Sequence, residues 1–316
     1  MNPDGSHIRQ VTHPPKGWHD DSPVWSPDGE RLAFHREAYD GSDSRIMVVN
    51  PETGDTRSVT QCTGLCLQDT EPAFSPDGDS LSFHRYRGPV ETVMAVNDEI
   101  WIVGIDGSDP HQVTNVDSKP PDAIEEQGSA FSPNGKMLAF DRVRKEGSRY
   151  LSHAVFVQLI GSPEDAHQLT PWEMNCQDHP EFSPDGKLLL FRCLPEGEEG
   201  SSNLYLVHPD GTGLHQLTDA PANKQYLDSS FSEAEGWITV GRTAGYGGDG
   251  NEVVGVFNDP AFRDVVTCGR GFDRVFADKK DTIARDCERM ADSGPEYVRL
   301  GESIPESFWE GLHPQF

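Results

Sequence analysis

Apolar residues along this chain fall in short runs bounded by turn-forming clusters. The clearest case is residues 22–36, SPVWSPDGERLAFHR, where Val24-Trp25 and Leu32-Ala33-Phe34 flank the tetrapeptide Ser26-Pro27-Asp28-Gly29. Pro27 sets φ for the opening of a turn, Asp28 can accept from the backbone ahead of it, and Gly29 supplies the positive φ that closes a tight reversal. The pattern predicts a β-hairpin. It recurs as EPAFSPDGDSLSFHR at 71–85, GSAFSPNGKMLAFDR at 128–142 and HPEFSPDGKLLLFR at 179–192, with weaker copies, FSEAEGWITVGR and FADKKDTIARD, beginning at Phe231 and Phe276. The aromatic anchors Trp25, Phe74, Phe131, Phe182, Phe231 and Phe276 are 49, 57, 51, 49 and 45 residues apart, a period typical of propeller blades or solenoid units.

Each unit continues with a third apolar run, such as Ile46-Met47-Val48-Val49 or Leu204-Tyr205-Leu206-Val207. A turn follows, then a short strand ending in Val59-Thr60, Val113-Thr114, Leu169-Thr170, Leu217-Thr218 or Val266-Thr267. Four antiparallel strands per unit predict a propeller blade.

This succession of Ser-Pro-Asp-Gly, Leu-Ala-Phe, an Asp-Gly turn and Leu-Thr resembles the TolB-like (WD-like) β-propeller repeat over about residues 1–287. The expectation is an all-β, six-bladed propeller of four-stranded antiparallel blades, forming a single domain over residues 1–316 with a C-terminal extension at 288–316. Residues 1–12 match the end of a unit and 275–286 the beginning of one, with 297–300 as a candidate third strand. The N- and C-terminal segments are therefore expected to share one blade, which removes a free sheet edge. Blades of this kind serve as partner-binding scaffolds, as the propeller of prolyl oligopeptidases and as some polysaccharide lyases, so the resemblance speaks to fold more than to function. No separate α/β domain of the kind that precedes the TolB propeller is expected within residues 1–316.

Composition changes this picture in three ways. No run approaches the ~20 apolar residues of a membrane span, so membrane insertion is not expected. Met1 leads directly into the polar turn Asn2-Pro3-Asp4-Gly5, without a signal peptide; either a leader is absent from the mature chain or the protein is cytoplasmic. The net charge of −27 repels nucleic acid and anionic membranes, and suits solubility or attraction of metal cations or a basic peptide.

The six cysteines argue for the first of those locations. Cys193 and Cys287 stand eleven residues after their anchors, in the slot that holds Arg in four other units, with Cys176 and Cys268 six and eight residues before the same anchors. A hairpin brings each pair nearly opposite, predicting Cys176–Cys193 and Cys268–Cys287, with Cys62–Cys66 as a third bridge. Three local disulfides imply an extracellular or periplasmic, oxidising compartment. Free buried thiols and a zinc site are the alternatives.

The candidate chemistry is positional. Asp21, Asp69, Glu71, Glu126, Asp178, Asp228 and Asp273 precede or enter the first strand of their units. In a propeller this strand is innermost, so the acids are expected at one mouth of the central channel, where they could hold calcium through oxygen ligands. In the competing account each acid satisfies backbone donors or pairs with the Arg of its own unit, Arg36, Arg85, Arg142 or Arg242. His35, Arg36, His84 and Arg85, with His19, His179 and Tyr226, suggest a lyase-like site in which Arg neutralises a uronate and His or Tyr removes the adjacent proton; structural histidines between blades are the plainer alternative. No Gly-x-Ser-x-Gly elbow or His-Glu-x-x-His motif is present. The expected function is non-enzymatic recognition of a protein, glycan or cation at the acidic mouth, and the alternative is a uronate polysaccharide lyase.

Overall fold

The computed structural model describes residues 8–64, 66–87, 97–114, 123–146, 149–162, 166–194, 202–218 and 224–231, and five further short strands together with 238–244. The expected blades are present. The first consists of β1 (Trp18–Trp25), β2 (Leu32–Ala38), β3 (Ser44–Val49) and β4 (Thr56–Ser58); the second of β5 (Cys66–Phe74), β6 (Ser80–Arg87), β7 (Asn97–Gly104) and β8 (His111–Gln112). The third contains β9 (Ala123–Phe131), β10 (Met137–Glu146), β11 (Arg149–Leu159) and β12 (His167–Gln168); the fourth β13 (Cys176–Phe182), β14 (Leu189–Cys193), β15 (Asn203–Val207) and β16 (His215–Gln216). All four are antiparallel meanders whose first strands touch in succession, β1 with β5, β5 with β9 and β9 with β13.

The turn chemistry accounts for the repeat. In the first blade the Gly29 amide donates to the Ser26 carbonyl, Asp28 Oδ1 accepts from the Glu30 amide, and the Ser26 hydroxyl reaches both Asp28 and the Arg31 carbonyl. The glycine, hydroxyl-to-side-chain and side-chain-to-amide contacts return around Ser75, Ser132 and Ser183, with Asn134 replacing the aspartate in the third blade. Gly29, Gly78, Gly135 and Gly186 all have φ near +70°. A β-carbon on Gly186 would lie 3.3 Å from Pro133 of the preceding turn, so the turns also dovetail between blades.

Alternation along the second strand builds the core. Leu81 and Phe83 pack back on Ala33, Ile46 and Val48 of the first blade, and Leu138 and Phe140 pack back on Ile100 and Ile102 of the second. Ala139, between them, faces forward to Leu189 and Phe191 of the fourth blade. The Val or Leu that ends each unit joins the same layers, Val59 against the second blade and Val113 against the third. The threonine after it binds the third strand: Thr60, Thr114, Thr170 and Thr218 accept from the amides of Ile46, Ile100, Val155 and Leu204.

Beyond the fourth blade the order differs from expectation. Among the described residues there are four regular blades rather than six, followed by a five-stranded sheet in the order β17 (Lys224–Phe231), β18 (Ile238–Ala244), β19 (Glu252–Gly255), β21 (Asp273–Phe276) and β23 (Cys287–Arg289). The β17–β18 hairpin forms, but β21 runs parallel to both its neighbours, and β22 (Thr282–Ile283) pairs with β20 (Val265–Val266). The antiparallel hairpin expected from Phe276 is absent there. Its turn has lost the proline and glycine that enforce a reversal, leaving the strand pairing weakly specified. The candidate strand at 297–300 lies outside the described residues.

Two predicted disulfides are present, Cys62–Cys66 and Cys176–Cys193, with sequence separations of 4 and 17. Both are consistent with an oxidising compartment. Cys268 lies outside the described residues, so its bridge to Cys287 stays an expectation. No helix among the described residues is long and apolar enough to cross a membrane.

Candidate functional site

The inner strands of the four regular blades carry the same irregularity three residues before the anchor. Ser22, Glu71, Gly128 and His179 all adopt φ between +50° and +64°, and the register with the second strand slips at each of them. These are β-bulges, which re-aim side chains and are frequent beside functional sites. At Gly128 the glycine is required by its neighbour, because a β-carbon would fall 2.6 Å from the His179 Cα in the next bulge.

The bulge separates acids that look alike in the sequence. Asp20, Asp69 and Glu126 stand five residues before their anchors, opposite Arg36, Arg85 and Arg142. Arg36 donates to Asp20 at 2.6 and 2.8 Å, Arg85 to Asp69 at 2.7 and 2.8 Å, and Arg142 Nε to Glu126 at 2.9 Å. Each guanidinium also lies over aromatic rings, Arg142 4.6 Å from the centroid of Phe156 and Arg85 4.7 Å from that of Trp101. In the fourth blade the corresponding cross-strand pair is the Cys176–Cys193 disulfide. Asp21 is exposed and accepts from the Ser22 amide. The side chains of Asp178, Tyr226, Asp228, Arg242 and Asp273 lie outside the described residues.

A second layer of polar groups gathers where the bulges meet. His84 is fully buried, with neither ring nitrogen hydrogen-bonded, and its Nδ1 lies 3.4 Å from Glu71 and 3.7 Å from Asp98. Burial holds the imidazole below its usual pKa, opposed mainly by Glu71 and reinforced by His179. Asp141 occupies the equivalent position in the third blade. It pairs with His153 Nδ1 at 2.9 Å, and burial pushes its carboxyl above the normal range. Tyr86 is raised by burial and by Asp98, Glu71 and Glu125. On the other side of Glu71 lies His35, lowered by burial against the pull of Asp21, Glu37 and Glu71.

Neutral imidazoles next to carboxylates can exchange protons or accept a metal ion. The arrangement brings together His19, His35, Glu71, His84 and His179 from the expected set, and adds Glu37, Tyr86, Asp98, Asp141 and His153. Asp141 was detectable by aligning units, since it shares the slot of His35 and His84; the others come into place only through cross-strand register and blade contact.

Residues 6–225 match the TolB β-propeller domain family. The chain belongs to that family. No curated protein sequence matches it. Among solved structures, it is similar to a putative TolB from Agrobacterium tumefaciens, with 20% identity, a TM-score of 0.53 and coverage of 73% of this chain and 72% of that one. An oligogalacturonate lyase in complex with manganese shares 16% identity at a TM-score of 0.51, covering 74% and 64% of the two chains. TolB from Acinetobacter baumannii aligns at 20% identity and a TM-score of 0.48, over 72% of this chain and about half, 52%, of its own length. At these identities the likeness concerns the fold, and a TolB-like propeller can carry either binding or catalysis.

Proposed function

We propose that this chain is a non-enzymatic, extracellular or periplasmic propeller that binds a protein partner, through a basic segment, at the end of the channel holding Glu71 and the histidines. The observation that carries this reading is the state of the arginines. Arg36 and Arg85, which a lyase would present to a uronate carboxylate, already make two hydrogen bonds each to Asp20 and Asp69. What is left toward a ligand is the partly exposed Glu71 carboxylate, with His35 and His84 buried behind it, on a chain of net charge −27. A glycan lacking acidic groups remains compatible with such a surface. Calcium held by Asp21, Asp69, Glu71 and Glu126 is a weaker form of the proposal, because Asp69 and Glu126 are neutralised by arginine.

We also propose that the ring is six-bladed and closed by the N-terminal segment. Val11 packs against the cluster of Phe34, Met47 and Val49, as Val59 shares a cluster with Leu81, Phe83 and Val103 of the next blade. Gln10 donates to the Thr12 carbonyl, the contact that Gln112, Gln168 and Gln216 make at the ends of their own units. Both support residues 8–12 as the tail of a blade preceding the first.

The functional test pairs two measurements on the purified chain. With polygalacturonate, no new absorbance from an unsaturated product is expected; with a lysine-rich oligopeptide, retention should fall with added salt and with Glu71→Gln. An unsaturated product formed by the wild type and lost in His84→Gln would replace the binding reading with the lyase alternative.

A further inference from the structure

We propose that His19, His35 and Glu37 form a site for a borderline divalent metal ion, zinc, cobalt or nickel, an inference whose test does not depend on partner binding. One hairpin supplies all three residues. His19 stands opposite Glu37 across β1 and β2, and His35 is two residues before Glu37, so the three share one face of the sheet. One ligand atom from each lies within 4.8 Å of the others. His19 Nε2 is 3.8 Å from Glu37 Oε2, near the ~3.4 Å spanned by two ligands at ~2.1 Å from one tetrahedral ion.

A buried and unpartnered group points to the same place. His35 is only 7% exposed, and its Nδ1 has no hydrogen-bond partner; the buried Nδ1 of His19 has none either. Leaving such nitrogens unsatisfied is costly, and coordination of one of them would remove part of that cost. The surroundings hold the ligands as outer groups of metal sites do. Gln68 of the next blade donates to Glu37 Oε1, leaving Oε2 toward His19, and the Tyr39 ring stacks on His19 with centroids 5.1 Å apart. The His19 and Glu37 side chains are 35% and 20% exposed, which gives an ion a way in and leaves coordination positions for water.

The repeat supplies an internal control. At the three corresponding positions the second blade has Gln68, His84 and Tyr86, the third Glu125, Asp141 and Val143, and the fourth Asn175, Arg192 and Leu194. Only the first combines two imidazoles with a carboxylate, and no blade needs that combination to fold. Imidazole-rich sites prefer zinc, cobalt and nickel to calcium, which takes six or more oxygen ligands.

Tag-free protein stripped with chelator should be titrated with zinc, cobalt, nickel and calcium by calorimetry, and with cobalt by its d–d absorption. The expected result is one zinc or cobalt per chain, not displaced by calcium, with a rise in Tm on binding. Glu37→Gln and His19→Gln, at partly exposed positions, should each weaken binding by more than about tenfold, and Gln68→Ala by about tenfold. His111→Gln, at an exposed histidine elsewhere, should leave it unchanged. His35→Gln is informative only if circular dichroism shows a folded chain, so the two partly exposed variants carry the test. Absence of saturable binding by all three metals, or stoichiometric binding that survives Glu37→Gln combined with His19→Gln, would overturn the site.

Discussion

The fourth blade fastens its inner hairpin with Cys176–Cys193 at the place where the first three use an acid and an arginine. The location is structurally the same, since the pairs Asp20–Arg36, Asp69–Arg85, Glu126–Arg142 and Cys176–Cys193 all join the first and second strands just ahead of the bulge. The energetics differ. Two buried charges give back most of their attraction in lost hydration, so such a pair adds little net stability while making each partner costly to remove alone. The disulfide acts mainly on the unfolded chain and is indifferent to salt and pH. The comparison teaches that the hairpin needs a cross-link there, and that the charge in the first three blades is one means of supplying it.

The largest effect is expected from breaking the most buried pair. Arg142→Met leaves Glu126 buried without its guanidinium, and should cost about 3–5 kcal/mol by urea unfolding, of which Arg142→Met with Glu126→Leu should restore most. If the double variant is no better than the single, the pair does more than cross-link. Replacing Cys176 and Cys193 together by alanine should cost about 3 kcal/mol, for a loop of 17 residues. That loss should be independent of salt.

A smaller effect tests whether the first blade is covered from the preceding side. Val11→Asp would place a charge against Phe34, Met47 and Val49, and should cost about 1–2 kcal/mol and increase association through the uncovered sheet face. An unchanged melting curve would remove this support for closure. Trp25, 59% exposed where its equivalent Phe182 is buried, should also change fluorescence if that face is rearranged.

The smallest effect concerns the turns. The hydroxyl of Ser26, the Glu30 amide and Arg31 together hold the Asp28 carboxyl at about 2, and Asp77 is lowered in the same way by Ser75 and the Asp79 amide. Because both folded values lie below the unfolded ones, the stabilisation is present above the ordinary aspartate range and disappears as pH falls through the folded value. Hydrogen exchange at the Glu30 and Asp79 amides, corrected for intrinsic rates, should therefore lose protection on acidification toward about pH 2. The Lys136 amide, held by the non-titrating Asn134, should keep its protection. Equal losses at all three would mean that global unfolding, rather than the turn carboxylates, sets the response.

Much of the fold was legible in the chain because it rests on local rules. Ser-Pro-Asp-Gly specifies its own reversal, Leu-Ala-Phe alternates between two neighbouring blades, and Val-Thr ends each unit with a contact to the third strand. The cysteine bridge at 176 and 193 followed from the same register. The sequence alone also determined where these rules weaken, since the units after Phe231 lack the turn that enforces antiparallel pairing. What it did not contain was the bulge at Ser22, Glu71, Gly128 and His179. Acids one or two positions apart in the sequence are therefore sent to different places, Asp69 to an arginine and Glu71 to His84. The meeting of Glu71 with His35, and of Gln68 with Glu37, depends on packing between blades. Only the tertiary structure decided it, because residues 31 to 36 positions apart become neighbours through sheet packing that no local pattern encodes.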